Sequence, residues 1–147
     1  MVEPHSILLV EDNDDDAELT ARAFGQANLA NPLVHVSDGV EALDYLFGRG
    51  RYAERDTAIL PVVVLLDLKL PRLDGIEVLK AIRGNEATCY LPVVMLTSSD
   101  HDRDRLAAYH HRANSYIKKP VDYDQFVEAA RHLGLYWAVL NSPAPRR

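Results

Sequence analysis

Apolar residues along this chain come in short runs that stop abruptly at polar residues, and between the runs they recur at helical spacing. Residues 6–10 form the first run, ending at Val10 before Glu11 and Asp12. Over residues 13–28, Ala17, Ala21 and Phe24 recur at three- and four-residue intervals. Acidic residues open that segment, where they complement a helix dipole. A strand and then a helix are predicted, and the pair repeats: residues 33–36 read as a strand, Ser37-Asp38-Gly39 as a turn, and Val40, Leu43, Leu46 and Phe47 as one helical face. Residues 48–58 are polar, contain glycine and show no period, which predicts a surface loop of unusual length. Residues 62–66 read as a buried strand, residues 71–75 as a turn, and Ile76, Leu79 and Ile82 as a third helix. Pro92 introduces a strand that ends at Thr97, and Ser99 or Asp100 caps a helix carrying Leu106 and Ala107. Residues 115–118 form a last short strand, and Asp122 with Gln125 suits the start of a final helix.

Strands that alternate with helices in this way predict the α/β class: a doubly wound five-stranded parallel sheet with five helices covering both faces. In such sheets ligands bind beyond the carboxyl ends of the strands, beside the point where strand order reverses. The polar residues that end the apolar runs would meet there: Glu11, Asp12, Asp67, Thr97 and Lys119.

Composition narrows the class further. The chain has 147 residues, 48% of them apolar, enough for one domain and too few for two ordinary ones. Residues 1–141 are expected to form that domain, with an extended last helix, and residues 142–147 a short flexible tail. The formal net charge of -6 argues against nucleic acid and anionic membrane as partners. Cys89 is the single cysteine, so no internal disulfide is available, and the N-terminus carries no signal-peptide pattern. The longest apolar run, residues 60–68, falls well short of the roughly 20 residues that cross a bilayer. A soluble, cytoplasmic protein is expected.

The chemistry of the predicted rim follows from its residue types. Three carboxylates brought together raise one another's pKa values unless a cation lies between them. Oxygen ligands without nearby histidine or cysteine favour Mg2+, or Mn2+, over zinc. Mg2+ keeps several waters and is commonly bound with phosphate oxygens, so a phosphoryl group is the natural substrate. Transfer to Asp67 would form an aspartyl phosphate, with Lys119 neutralising its oxygens and the Thr97 hydroxyl fixing its orientation. Taken singly, each residue also has a plain structural use: a solvated helix start for Glu11 and Asp12, a turn cap for Asp67, a strand end for Thr97, a surface cation for Lys119, packing for Tyr116. Only their combination is specific. His110 and His111 are adjacent on a predicted helix, do not share a face, and read as solvated residues.

Over nearly its whole length the chain resembles the receiver domains of two-component response regulators, which adopt a flavodoxin-like fold. Glu11 and Asp12 match the family's acidic pair, Asp67 in Leu66-Asp67-Leu68-Lys69-Leu70-Pro71 its phosphoacceptor, Thr97 its switch hydroxyl and Lys119 its lysine. The resemblance implies that the backbone carbonyl of Lys69 joins Glu11, Asp12 and Asp67 as a metal ligand. It also implies that Tyr116 is the switch aromatic and that Lys119-Pro120 is a cis step. Phosphorylation would then draw Thr97 toward the phosphoryl group, let Tyr116 turn inward, and alter the face formed by the fourth helix, fifth strand and fifth helix. Such a protein is not an enzyme in the ordinary sense: it catalyses only its own phosphorylation from a donor and its own dephosphorylation.

Three segments carry a narrower resemblance, to small response regulators paired with bacterial and cyanobacterial phytochromes. They are Leu46-Phe47-Gly48-Arg49-Gly50-Arg51-Tyr52, Leu60-Pro61, and Leu133-Gly134-Leu135-Tyr136-Trp137. They imply a sensor histidine kinase as phosphodonor, a phytochrome being one such sensor. The short stretch after the last helix leaves no room for an output domain, so a stand-alone regulator is expected. Phe126, Val127, Ala130, Leu133, Tyr136, Trp137 and Leu140 form a stripe longer than one domain face requires. It predicts a homodimer through the C-terminal helix; the alternative is that Tyr136 and Trp137 fold back on their own domain. Two other classes compete: a phosphate-independent interaction module, and a Mg2+-dependent phosphohydrolase. The second is weakened because Lys69 stands where the haloacid-dehalogenase-like enzymes carry a second Asp. A flavodoxin-like cofactor binder is disfavoured because Glu11 and Asp12 would repel its phosphate.

Overall fold

The computed structural model describes residues 6–27, 31–98 and 101–119, together with Asp124, Gln125, Val127, Glu128 and Arg131. Its elements run β1 (Ile7–Val10), α1 (Asp14–Gln26), β2 (Leu33–Val36), α2 (Gly39–Phe47), β3 (Val63–Leu66), α3 (Gly75–Gly84), β4 (Val93–Thr97), α4 (Asp102–His110) and β5 (Ser115–Lys118). All five strands are parallel, in the order β2-β1-β3-β4-β5. Strand order reverses beside β1, between its neighbours β2 and β3, so the carboxyl ends of β1 and β3 flank the crevice where doubly wound sheets bind ligands.

Burial follows position in the sheet. β1, β3 and β4 are buried throughout, as central strands covered on both faces must be, whereas β2 and β5 are the partly exposed edges. Alternate residues of β1 point to opposite faces: Leu8 and Val10 join the core with α2 and α3, while Ile7 and Leu9 pack with Ala17, Ala23 and Phe24 of α1. Side-chain caps start three of the helices: Asn13 accepts from the Asp16 N–H, Asp38 from Glu41 and Asp74 from Glu77.

Several expectations shift. Among the described residues there are four α-helices; the fifth expected helix falls largely outside them, although Asp124, Gln125, Val127, Glu128 and Arg131 have helical backbone. Pro120, Asp122, Tyr136, Trp137 and the tail also lie outside. Helix α4 starts at Asp102 with His101 in the cap position and no side-chain cap bond, while Ser99 and Asp100 are not among the described residues. In α1 the buried stripe is centred on Thr20 and Phe24, which leaves Ala21 exposed at its margin. In α4 the buried residue is Ala108, and Leu106, about 200° of helix rotation away, is 70% exposed.

The long segment before β3 is a surface connection, but a compact one. Gly50–Tyr52 forms a 3₁₀ turn, and Arg55 ties the segment down: Nε donates to the Tyr45 carbonyl at 2.7 Å and Nη1 to the Ile59 carbonyl at 2.8 Å. The Arg55 guanidinium also lies 4.2 Å from the centre of the Tyr45 ring. No helix among the described residues is long and apolar enough to cross a membrane.

Candidate functional site

Each polar residue at the rim is placed by the strand that precedes it. β1 ends at Val10, whose carbonyl accepts from the Asp67 N–H at 3.1 Å, so the register of β1 against β3 sets Glu11 and Asp67 side by side. Glu11 is 2% exposed and Asp67 is 8% exposed, whereas Asp12 faces solvent. One ligand oxygen from each of these three carboxylates lies within 4.8 Å of the others. Thr97 ends β4 and is fully buried, and its carbonyl accepts from the Lys119 N–H at 2.6 Å just beyond β5. The five rim residues named from the sequence are thus assembled at one end of the sheet. Tyr116 sits two strand positions in from Lys118, opposite Met95, partly buried against the α2 and α3 core face. Lys69 lies two residues past Asp67, with its N–H donating to Asp67 Oδ1 at 3.4 Å.

Lys119 is the cation of this cluster. Its Nζ donates to Glu11 Oε1 at 2.7 Å, to Asp16 Oδ2 at 2.9 Å and to Asp67 Oδ2 at 3.3 Å. Burial alone would lower its pKa, but the bonds to Glu11 and Asp16 and the charges of Asp67 and Glu11 outweigh burial and hold it above the ordinary lysine value. Glu11 moves the other way from a normal carboxylate. Burial pushes it up to about 7, against the Lys119 hydrogen bond that favours its charged form, and the charge of Asp67 adds to the rise.

Three contributors were not read from the sequence. Asp16, one of three aspartates in the first turn of α1, reaches Lys119 across 103 residues of chain. His35 Nε2 lies 2.7 Å from the Glu11 carbonyl, fixing the backbone where β1 ends. Gly75 opens α3 so close to Asp67 that no side chain fits. His110 and His111 do contact each other, edge to face with ring centres 5.0 Å apart, because His111 is the C-cap and has left the helical path.

The donor set fits a hard divalent cation. It consists of carboxylate oxygens from Glu11, Asp12 and Asp67, two of them largely withdrawn from water and one open to it, with no sulfur or imidazole in the cluster. A family model described as the response regulator receiver domain matches residues 7–131. The chain belongs to that family. A receiver domain is a signalling module rather than a classical enzyme.

Several curated relatives match most of this receiver chain. The probable methanogenesis regulatory protein FilR2 of Methanothrix harundinacea is 41% identical, over 97% of this chain and 90% of its own length. Response regulator Rcp1 of Synechocystis is 32% identical, over 91% and 89%. Solved structures agree. The phosphorylated cyanobacterial phytochrome response regulator RcpA superposes with a TM-score of 0.84 at 32% identity, covering 97% of this chain and all of its own. The Mn(2+)-bound form of Rcp1 gives 0.83 at 30% identity, with 97% and 100% covered. The bacteriophytochrome response regulator AtBRR gives 0.77 at 48% identity, with 95% and 99% covered. A divalent-metal site in this receiver is supported both by the acidic cluster and by the metal-bound relative.

Proposed function

We propose that this receiver domain accepts a phosphoryl group on Asp67 from a phosphohistidine of a sensor histidine kinase, and that the modification switches its surface. The observation that carries the reading is the placing of Asp67. A carboxylate at the end of β3 shares one cluster with Glu11 and Asp12 and lies 3.3 Å from a lysine ammonium. In the proposed step an Asp67 carboxylate oxygen attacks phosphorus, the O–P bond forms, the P–N bond to the donor imidazole breaks, and its electron pair leaves on the imidazole nitrogen. In this reading Lys119 would neutralise charge on the transferred group, and the Thr97 hydroxyl would donate to one of its oxygens. Glu11, Asp12, Asp67 and the Lys69 carbonyl would hold Mg2+, or Mn2+, which supplies charge neutralisation at the phosphoryl oxygens. A separate reaction resets the switch: water attacks phosphorus, the bond to the Asp67 oxygen breaks, and inorganic phosphate and the free carboxylate are returned.

The switch would couple Thr97 to Tyr116, and the partner must bind the two states with different affinity for any signal to pass. RcpA and AtBRR are named for phytochromes, which favours a light-regulated kinase as donor; FilR2, named for methanogenesis, makes a kinase with another input the alternative. Faster phosphotransfer from an autophosphorylated bacteriophytochrome kinase than from an unrelated kinase supports the first; equal or slower transfer rejects it.

The reading extends to a cytoplasmic protein with residues 1–141 as its receiver domain, residues 142–147 as a tail, and homodimerisation through the apolar stripe from Phe126 to Leu140, which includes Tyr136 and Trp137. Light scattering of wild type and Trp137→Ala tests the dimer, and a monomer in both rejects it. The core reading is tested by incubating wild type and Asp67→Asn with acetyl phosphate and Mg2+ and following intact mass. A phosphoryl adduct is expected in wild type alone. Equal adducts would remove Asp67 as acceptor, and no adduct in either favours a phosphate-independent module.

A further inference from the structure

Lys119 is surrounded by carboxylates from three elements: Glu11 beyond β1, Asp16 in the first turn of α1, and Asp67 beyond β3, at 2.7, 2.9 and 3.3 Å. The contact with Asp16 is shorter than the contact with Asp67. Asp16 is held in place by its own backbone: its N–H donates to the N-cap Asn13 Oδ1 at 2.9 Å, and its carbonyl accepts from Thr20 Oγ1 at 3.0 Å. Yet the acidic cluster suited to a divalent cation is made of Glu11, Asp12 and Asp67 and does not include Asp16. Glu11 and Asp67 therefore belong both to the lysine's surroundings and to the cation's ligand set, while Asp16 belongs to the first alone.

That overlap creates a competition. A divalent ion and an ammonium that draw on the same two carboxylates stand within a few ångströms of each other and repel, the more so because Glu11 and Asp67 are buried. We infer that Asp16 is a positioning residue that holds Lys119 while a divalent cation takes over the carboxylates of Glu11 and Asp67. Without it, Lys119 has only the cation's own ligands to lean on, and cation binding must displace it into an unpaired position. The inference rests on the divalent-cation reading of the site and adds to it a residue whose effect passes through Lys119. A direct attraction between Asp16 and the cation is the competing explanation; it is weakened by solvent, since the Asp16 side chain is 42% exposed, and it would act whether or not Lys119 is present.

A double-mutant cycle separates the two. Mg2+ is titrated calorimetrically into the full chain as wild type, Asp16→Asn, Asp16→Ala, Lys119→Met, and the two Asp16 variants combined with Lys119→Met. Both Asp16 substitutions are expected to weaken Mg2+ binding by about 3- to 10-fold when Lys119 is present, and by less than about 2-fold in the Lys119→Met background. Equal weakening in both backgrounds overturns the inference in favour of a direct field, and no weakening in either overturns it outright. Wild type that binds no Mg2+ at all defeats the cation reading itself, a failure distinct from the other two. Thermal melting without metal verifies folding; should Asp16→Ala disturb the start of α1, the isosteric Asp16→Asn carries the test.

Discussion

Gly75 opens α3 directly against Asp67: a Cβ on Gly75 would stand 2.2 Å from the Asp67 carbonyl oxygen and 2.8 Å from the Cα of Leu68. The Gly75 N–H donates to the Leu68 carbonyl at 2.7 Å, so the first residue of α3 locks the backbone that follows Asp67. Both obstructing groups are backbone atoms, which have little freedom to move aside. Gly75→Ala is therefore expected to destabilise the fold by about 1–3 kcal/mol, the usual range for an overpacked site, and to displace Asp67. Gly25, with no neighbouring atom within 4 Å of its added Cβ, supplies the contrast: Gly25→Ala should stabilise α1 by about 0.5–1 kcal/mol. Urea denaturation of both variants checks the pair, and equal effects of the same sign contradict it.

The raised pKa of Glu11 fixes a pH dependence. Between its ordinary value of 4.5 and its folded value of about 7, the folded chain binds more protons than the unfolded one. The stability this contributes is fully present below the lower value and is lost as pH rises through the upper one. Glu11→Gln does not titrate. With divalent ions chelated, the stability of wild type relative to Glu11→Gln should fall between about pH 5 and pH 8, as read from urea midpoints. A difference that stays flat contradicts it.

Divalent-cation binding should carry the same signature with the opposite sense. A cation needs Glu11 ionised, so Mg2+ affinity is expected to rise as pH increases through about 7, with proton release on binding below that point. Calorimetry in buffers of different ionisation enthalpy measures the protons released. No release near pH 6 rejects Glu11 as a ligand that must lose its proton.

Lys119→Ala separates phosphorylation from response. Asp67 keeps its carboxylate neighbours, so some adduct should still form from acetyl phosphate, whereas the link from the phosphoryl group to β5 is lost. Hydrogen exchange at β4 and β5, with and without phosphodonor, should then show a change in wild type and none in the variant. A full response in Lys119→Ala would contradict the role given to Lys119.

Arg55 makes the segment between α2 and β3 a fixed part of the domain. Arg55→Met keeps the aliphatic stem but removes the bonds to the Tyr45 and Ile59 carbonyls, and a loss of about 2 kcal/mol is expected, in the range of hydrogen bonds to charged groups. Limited proteolysis within residues 48–60 should accelerate together with that loss. Unchanged cleavage and stability would mean that the Arg55 contacts contribute nothing.

The strands and most of the site were legible because the central strands are buried on both faces, so Ile7–Val10, Val63–Leu66 and Val93–Thr97 write themselves as apolar runs whose ends are marked by Glu11, Asp67 and Thr97. Asp16 was not legible. Three consecutive aspartates at a helix start all suit the dipole, and nothing local distinguishes the one that meets a lysine 103 residues away. Gly75 read as part of a turn because a close backbone approach leaves no pattern in its neighbours. Leu106 misled for the opposite reason: α4 packs through the small Ala108, so its larger apolar residue is turned to solvent.

The most direct test of the account is to locate the phosphoryl group itself. Borohydride reduces an aspartyl phosphate to homoserine, and peptide sequencing by mass spectrometry after treatment with acetyl phosphate and Mg2+ then reads the modified position. Homoserine at position 67 is the predicted result; homoserine at position 12 or another carboxylate, with position 67 unmodified, would contradict it.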